Sequence, residues 1–289
     1  MEATNSLVSF SSIYKYSNSD VTELQDLIAV EEPLQIRLEF EHKGEWHKKD
    51  LLVTMRSPGN DFDLALGFLF AEGIVESDED ILLMRYCQKV KPEEKGNVLI
   101  IKFVEGHVID LKKLGRNFYT NSSCGVCGKT AIEAVKCKNG ALPLDEKWQI
   151  SPETILAIPE NLQSSQTAFK YTGGLHAAAL YDKNGELVML REDIGRHNAL
   201  DKLIGASLKA KIDLGNEKIV LLSGRVSYEM AQKAINAGIS VLLAFGPPTH
   251  LAVALAKEKR MTLVGFLKNE SFNIYSAEER IKIVGKKIV

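Results

Sequence analysis

The stretch Asn121-Ser122-Ser123-Cys124-Gly125-Val126-Cys127-Gly128-Lys129 is where reactive side chains, small residues and a helix start converge in this chain. Two thiols separated by two residues can share a disulfide, clamp half a metal site, or present one nucleophile with a resolving neighbour. The flanks bear on the choice. Gly125 and Gly128 remove Cβ crowding, and Thr130 to Lys136 has the apolar spacing of a short helix beginning just after the second thiol. A thiol at the positive end of a helix, with Lys129 and Arg116 close in sequence, is biased toward thiolate, the form that attacks sulfur or carries it as a persulfide.

Zinc knuckles and thioredoxin-type redox pairs use the same spacing, and each lacks a part here. No second CxxC and no paired His motif follows, so a four-cysteine zinc site would have to recruit Cys87 and Cys137 from unpatterned positions. A thioredoxin-type pair follows the first strand of a βαβ unit near the chain start, whereas more than a hundred residues precede this one. A dedicated dithiol or persulfide site, with Cys124 and Cys127 as its residues, fits better. Cys87 and Cys137 lack Gly-rich or helix-start settings and read as a buried and a surface thiol respectively.

A second concentration of chemistry lies at predicted strand ends. Ile219 to Leu222 runs into Ser223-Gly224-Arg225 and then a helical pattern, which places backbone N–H groups, a close-approach glycine and an Arg fork where an anion could sit. The next strand delivers Phe245-Gly246-Pro247-Pro248-Thr249 to the same edge, and the third delivers Gly265-Phe266-Leu267-Lys268-Asn269-Glu270-Ser271. Arg191-Glu192-Asp193-Ile194-Gly195-Arg196-His197-Asn198 packs two Arg, acids, a His and an Asn into another strand-to-helix turn; the alternative for that cluster is a capping and salt-bridge network. His176, on an apolar strand, reads first as a packed, hydrogen-bonded core residue.

The elements that must position these residues follow from periodicity. Residues 1–20 show none and read as a tail. From 21 to 148 the pattern is α+β: Leu34, Ile36, Leu38 and Phe40 alternate, Lys43-Gly44 turns, Trp46 to Met55 returns, Asn60-Asp61 opens a helix closed by Gly73, and strands follow at 81–90, 97–104 and 108–111. From 149 to 289 the pattern is α/β. A helix capped by Ser151 leads to a hairpin about Asn184-Gly185, then strand 218–222, helix 226–237, strand 239–245, helix 248–258 and strand 261–266. That alternation predicts a partly parallel sheet flanked by helices, with ligands at the carboxyl ends of its strands.

Composition narrows the function classes. A 289-residue chain with 45% hydrophobic residues buries an ordinary core, and a net charge of −2 gives no electrostatic case for nucleic acid or a membrane surface. Four irregularly placed cysteines make no disulfide framework, the start Met1-Glu2-Ala3-Thr4-Asn5 has no secretory pattern, and no apolar run spans a bilayer. The expectation is a cytoplasmic protein with reduced thiols, no nucleic acid and no membrane association.

These motifs together resemble the FdhD family, the sulfur-carrier accessory proteins of formate dehydrogenase. The resemblance rests on Glu32-Pro33-Leu34, Met55 to Gly59, Leu64 to Phe68, Ser123 to Gly128, Thr172 to Ala178, Arg191 to Ala199, Ser223-Gly224-Arg225 and Leu263 to Phe266. It implies a sulfurtransferase that takes sulfur from a cysteine desulfurase as a persulfide on Cys124 and passes it to a molybdenum or tungsten bis-molybdopterin guanine dinucleotide cofactor, which formate dehydrogenase then receives. It also implies a homodimer and a C-terminal part similar to the three-layer cytidine-deaminase fold. The guanine nucleotide, for which GDP would be a partial mimic, is implied at Phe266, Leu267, Lys268, Asn269, Glu270 and Ser271, with Arg225, Gly224, Arg196 and His197 at the neighbouring strand ends. The deaminase zinc signature is missing, since His176-Ala177-Ala178 carries no Glu and Ser123, not Pro, precedes Cys124. Two further readings share the motif: a non-catalytic cofactor-delivery chaperone with CxxC as a structural metal clip, and a dithiol-disulfide oxidoreductase. Pro247-Pro248-Thr249 stands where the resemblance leads one to expect a Ser-Ala-Pro-like turn.

Overall fold

A computed structural model describes residues 7–109, 118–119, 140–142, 148–165, 172–215 and 217–283. The chain is α/β, and its described residues form two large sheets of different construction and a two-stranded hairpin. The C-terminal sheet has six strands: β8 (His176–Asp182), β9 (Leu187–Asp193), β10 (Lys218–Leu222), β11 (Val241–Ala244), β12 (Thr262–Gly265) and β13 (Asn273–Ser276), in the order β13-β12-β11-β10-β8-β9. The β10-β11-β12 core is parallel, and the remaining pairings are antiparallel.

Strand alternation assigns each residue to a layer. Val220 and Leu222 turn to one face, where they pack with Leu200, Leu203 and Ile204 of α3 (Arg196–Lys209), Met230 and Ile235 of α4 (Tyr228–Asn236) and Ala252 and Leu255 of α5 (His250–Lys259). Ile219 and Leu221 turn to the other, against Ile155, Ile158 and Leu162 of α2 (Pro152–Ser165). Helices therefore cover both faces of the sheet. Ser151 Oγ accepts the Thr154 amide at 3.1 Å, so the anticipated cap of α2 is present. The Asn184-Gly185 hairpin is held by Asp182, whose carboxylate accepts the amides of Asn184 and Glu186 at 2.9 Å each.

The N-terminal sheet runs β5-β6-β3-β4-β7, built from β3 (Glu32–His42), β4 (Glu45–Arg56), β5 (Ile81–Tyr86), β6 (Val98–Phe103) and β7 (Phe118–Tyr119). Lys43 and Gly44, at φ 55° and 80°, supply the paired positive dihedrals that a tight two-residue hairpin requires. Leu34, Ile36, Leu38 and Phe40 face α1 (Asp61–Ala71), whose Leu64, Leu66 and Leu69 complete that core. Ser77 caps the 3-10 turn Asp78–Asp80, with Asp80 closing the capping box.

Three expectations need correction. Residues 8–20 are not a tail: β1 (Val8–Ser17) pairs with β2 (Asp20–Ala29) about Asn18 and Ser19, at φ 52° and 68°. The positive dihedrals fall on Asn-Ser rather than Asn-Gly, and the aromatic positions Phe10, Tyr14 and Tyr16 remain exposed, so neither turn signal nor burial pattern marked the hairpin. Val108 and Ile109 are not strand, and the edge partner of β4 is β7. The boundary at 148/149 also cuts through a packed layer, because Leu142 and Trp148 lie in the C-terminal cores.

The two parts are joined where α1 crosses α3. A Cβ at Gly67 would lie 1.8 Å from the Asp201 carbonyl oxygen, and one at Gly205 would lie 1.9 Å from that of Asp63. The helices therefore touch backbone to backbone, and only glycine fits at either side.

Candidate functional site

The mixed sheet gathers chemistry on one edge. The ends of β9, β10, β11 and β12 meet the start of β8 there, since His176 pairs with Asp193 and Ala178 pairs with Leu222. Three of the helices begin on this edge as well. The turns stack closely: Gly246 N donates to Gly224 O at 3.2 Å, Phe266 N donates to Gly246 O at 3.3 Å, and a Cβ on Gly246 would come within 2.8 Å of Arg225 N. The Pro247-Pro248 sequence does not disturb this joint, because it is the Pro247 carbonyl that accepts the Val226 amide, at 3.2 Å.

The residues anticipated as cofactor-binding divide into groups. Phe266 is 42% exposed and sits at φ 53°, an uncommon conformation for an aromatic residue, which turns its ring out of the sheet while Leu267 folds into the core at 3% exposure. Lys268, Asn269, Glu270 and Ser271 form an exposed turn closed by Lys268 N donating to Ser271 O at 2.8 Å. Leu267 therefore anchors this turn from beneath. Arg225 is exposed beside Gly224. The helix anticipated directly after it begins only at Tyr228, where Ser227 accepts the Met230 amide, so the free amides expected next to Arg225 are not the start of α4. By contrast α3 begins at Arg196 behind Gly195, and no side chain caps it. Arg196 and His197 occupy its first turn on the strand-end edge.

The rest of the Arg191–Asn198 cluster forms the salt-bridge and capping network that was the alternative reading. Arg191 grips Asp63 through Nε and Nη2 at 3.1 and 3.0 Å. Asp193, fully buried, pairs with Lys202 at 2.7 Å and accepts from Ser57 N, Gly195 N and Asn198 Nδ2 at 3.2, 2.8 and 3.0 Å. His197 Nε2 lies 3.1 Å from Glu229, out of line for a hydrogen bond. Nearby, Lys233 donates to both oxygens of Asp201 at 2.8 Å in full burial, and burial pushes the Asp201 carboxyl up to about 6.

Sequence reasoning passed over the partners of this network. Arg56 is fully buried, with Nε and Nη2 on Asp61 at 3.0 and 2.9 Å and Nη2 on Asn97 at 2.9 Å. Ser57 Oγ accepts the Ile194 amide at 3.0 Å, tying the Arg56-Ser57 turn to the other sheet. The signal was present in Arg56-Ser57-Pro58-Gly59, but nothing local says that the partners of Ser57 lie more than a hundred residues away.

His176 stands on the edge rather than in the core. Its Nδ1 is 3.3 Å from Ser223 Oγ, which itself accepts the Ala177 amide at 2.8 Å, and its ring lies against the bare face of Gly224. Burial, then the charges of Arg196 and His197, hold its pKa below the ordinary value, with Asp193 opposing. Cys87 is buried as anticipated. Cys124, Cys127, Cys137, Arg116 and Lys129 lie outside the described residues. Among the described residues no group of three His, Cys, Asp or Glu side chains could hold a metal ion, and no helix is long and apolar enough to cross a membrane.

Comparison with known proteins places relatives along nearly the whole chain. The profile of the FdhD/NarQ family matches residues 29–282. The chain is 42% identical to a protein of Streptomyces avermitilis named sulfur carrier protein FdhD, over 94% of both chains. Proteins of the same name from Mycobacterium tuberculosis and Sulfolobus acidocaldarius are 43% and 39% identical, covering 92% and 90% of this chain and 95% and 92% of theirs. A crystal structure of a formate dehydrogenase accessory protein from Desulfotalea psychrophila shares the fold, with a TM-score of 0.73 at 23% identity over 96% of this chain and all of that one.

Proposed function

The chain belongs to the FdhD/NarQ family, and from that premise we propose that it is a sulfur carrier that loads a persulfide on Cys124 and serves formate dehydrogenase. The observation that carries this reading is the 42% identity, over 94% of the chain, to proteins named as sulfur carriers. The paired thiols Cys124 and Cys127 in the Gly-flanked stretch agree with it. In the loading step the Cys124 thiolate attacks the outer sulfur of a cysteine desulfurase persulfide. A sulfur–sulfur bond forms at Cys124 as the donor's bond breaks, and the donor cysteine leaves as thiolate. The terminal sulfur then passes to a molybdenum or tungsten bis-molybdopterin guanine dinucleotide, which is cargo. A cytoplasmic homodimer is part of the same proposal.

Incubation with a cysteine desulfurase and cysteine should add one sulfur to the intact protein, seen by mass spectrometry. Cys124→Ala should remove that adduct and Cys87→Ala should leave it. Retention of the adduct, together with restored formate dehydrogenase activity in a strain lacking the protein, would sink the assignment of Cys124.

The cargo's guanine end is proposed at the strand-end edge. Phe266 offers an outward ring for stacking, and Glu270 can accept from both N–H groups of a guanine edge, a donor pair that adenine lacks. GDP should therefore bind more tightly than ADP by calorimetry. Arg225→Ala should weaken GDP by about 1.5–3 kcal/mol, the range of a charge-assisted hydrogen bond. Equal affinity for the two nucleotides removes guanine recognition from this edge, and an unchanged Arg225→Ala moves the phosphates toward Arg196.

A further inference from the structure

The geometry points to an anion subsite on the strand-end edge made by His176 and Arg196 across the bare face of Gly224, with Ser223 as the residue that fixes His176 as an Nε2–H donor. The inference deepens the cargo reading above and rests on it only for what the ligand is.

Ser223 Oγ accepts the Ala177 amide at 2.8 Å, which occupies one of its lone pairs and directs its hydroxyl hydrogen elsewhere. His176 Nδ1 is the neighbour at 3.3 Å. A hydroxyl that donates to Nδ1 makes that nitrogen the acceptor, so the neutral ring carries its proton on Nε2. The surroundings keep the ring neutral: desolvation acts first, then Arg196 and His197 of α3, while Asp193 of β9 works against them and is itself neutralised by Lys202 at 2.7 Å. His176 is thus held as a neutral donor beside the Arg196 cation, an arrangement that favours an anion without adding a titrating charge.

The space for the ligand is set by Gly224. A Cβ there would lie 3.3 Å from His176 Cε1 and Nδ1 and 3.7 Å from Arg196 Cδ, so both side chains line the same small patch of backbone. Any side chain at 224 would cover it. The start of α3, behind Gly195 without a side-chain cap, carries Arg196 toward the same point and adds the partial positive charge of its first turn. The chemical class is an anion with hydrogen-bond acceptors, which the cargo could present either as diphosphate oxygens or as a sulfur anion.

Side-chain 1H–15N NMR of the full-length protein at neutral pH, with His176→Gln to assign the resonance, should show Nε2 protonated and Nδ1 as acceptor. Ser223→Ala should shift the ring toward the Nδ1–H form and raise its pKa, and Ser223→Thr should restore both. An Nδ1–H ring in the wild type, or no tautomer change in Ser223→Ala, overturns the inference whatever binds. Inorganic pyrophosphate and thiosulfate then identify the anion. Either one should shift the Nε2–H resonance and bind at least tenfold more weakly to His176→Leu, while His176→Gln, which keeps a donor, should retain most of the affinity. Failure of both probes to reach His176 also overturns it. Loss of GDP binding with pyrophosphate binding intact would instead count against the guanine reading alone.

Discussion

Gly205→Ala is expected to lose at least about 3 kcal/mol of folding stability, above the usual range for an added methyl group in a packed interior. The new Cβ would lie 1.9 Å from the Asp63 carbonyl oxygen and 2.8 Å from Gly67 N, both backbone atoms that cannot rotate away. Relief requires α1 and α3 to move apart by more than an ångström along their whole crossing. That motion opens the contact between the cores beneath the two sheets and stretches the Asp63 pairs with Arg191 and Lys209, at 3.0 and 2.8 Å. Gly67→Ala meets Asp201 O at 1.8 Å and should behave alike. Against a typical stability of about 5–15 kcal/mol the loss is large. Gly140→Ala, with nothing within 4 Å and no positive dihedral, supplies the control and should stay within about 0.5 kcal/mol of wild type. Urea unfolding of the three variants decides it; a Gly205→Ala midpoint equal to that of Gly140→Ala would show that the helices do not cross this closely.

Local chemistry made much of the architecture legible. Lys43-Gly44 and Asn184-Gly185 specify tight turns by their dihedral needs, and Ser151 and Gly73 mark helix ends, so those elements appear where the sequence puts them. The strand ends at Ser223, Phe245 and Phe266 were legible for the same reason, because apolar runs of four or five residues broken by glycine leave little freedom in where a strand stops. What sequence could not supply was pairing across distance. Arg191 and Arg196 look equivalent in a row of letters, yet one is spent on Asp63 and the other begins α3 at the site edge. Lys202 carried no signal, since a lysine in a helix is ordinary until Asp193 is placed beside it, and the Arg56-Ser57-Pro58-Gly59 run marks a turn without naming the distant partner of Ser57. His176 was read as a core histidine because its strand is apolar; the antiparallel register that sets its first residue beside Ser223 is a tertiary fact.

Lys202→Met should cost about 3–5 kcal/mol, the penalty for leaving one member of a buried ion pair without its counter-charge. Lys202 is 1% exposed and Asp193 fully buried, and the ammonium sits 2.7 Å from the carboxylate while also donating to Ser57 O at 2.9 Å and Glu192 O at 3.3 Å. Removing it takes a donor from two carbonyls and leaves the charge on Asp193 without its counter-ion. Asp193 would keep its bonds from Ser57 N, Gly195 N and Asn198 Nδ2, so the turn that launches α3 would be weakened rather than erased. Adding Asp193→Asn to Lys202→Met should recover part of the loss, because a neutral amide tolerates burial better than an unpaired carboxylate. Asp193→Asn alone should be costly for the converse reason, leaving Lys202 charged in the interior. The double-variant cycle should therefore give a coupling larger than about 1 kcal/mol. Additive losses, or a Lys202→Met loss below about 1 kcal/mol, would mean that water reaches the pair and that it does not lock the two sheets together. The same lock sets Gly195 and hence the first turn of α3, so any Lys202→Met protein that folds should also bind GDP more weakly than wild type, although Lys202 is not one of the residues proposed to touch the nucleotide.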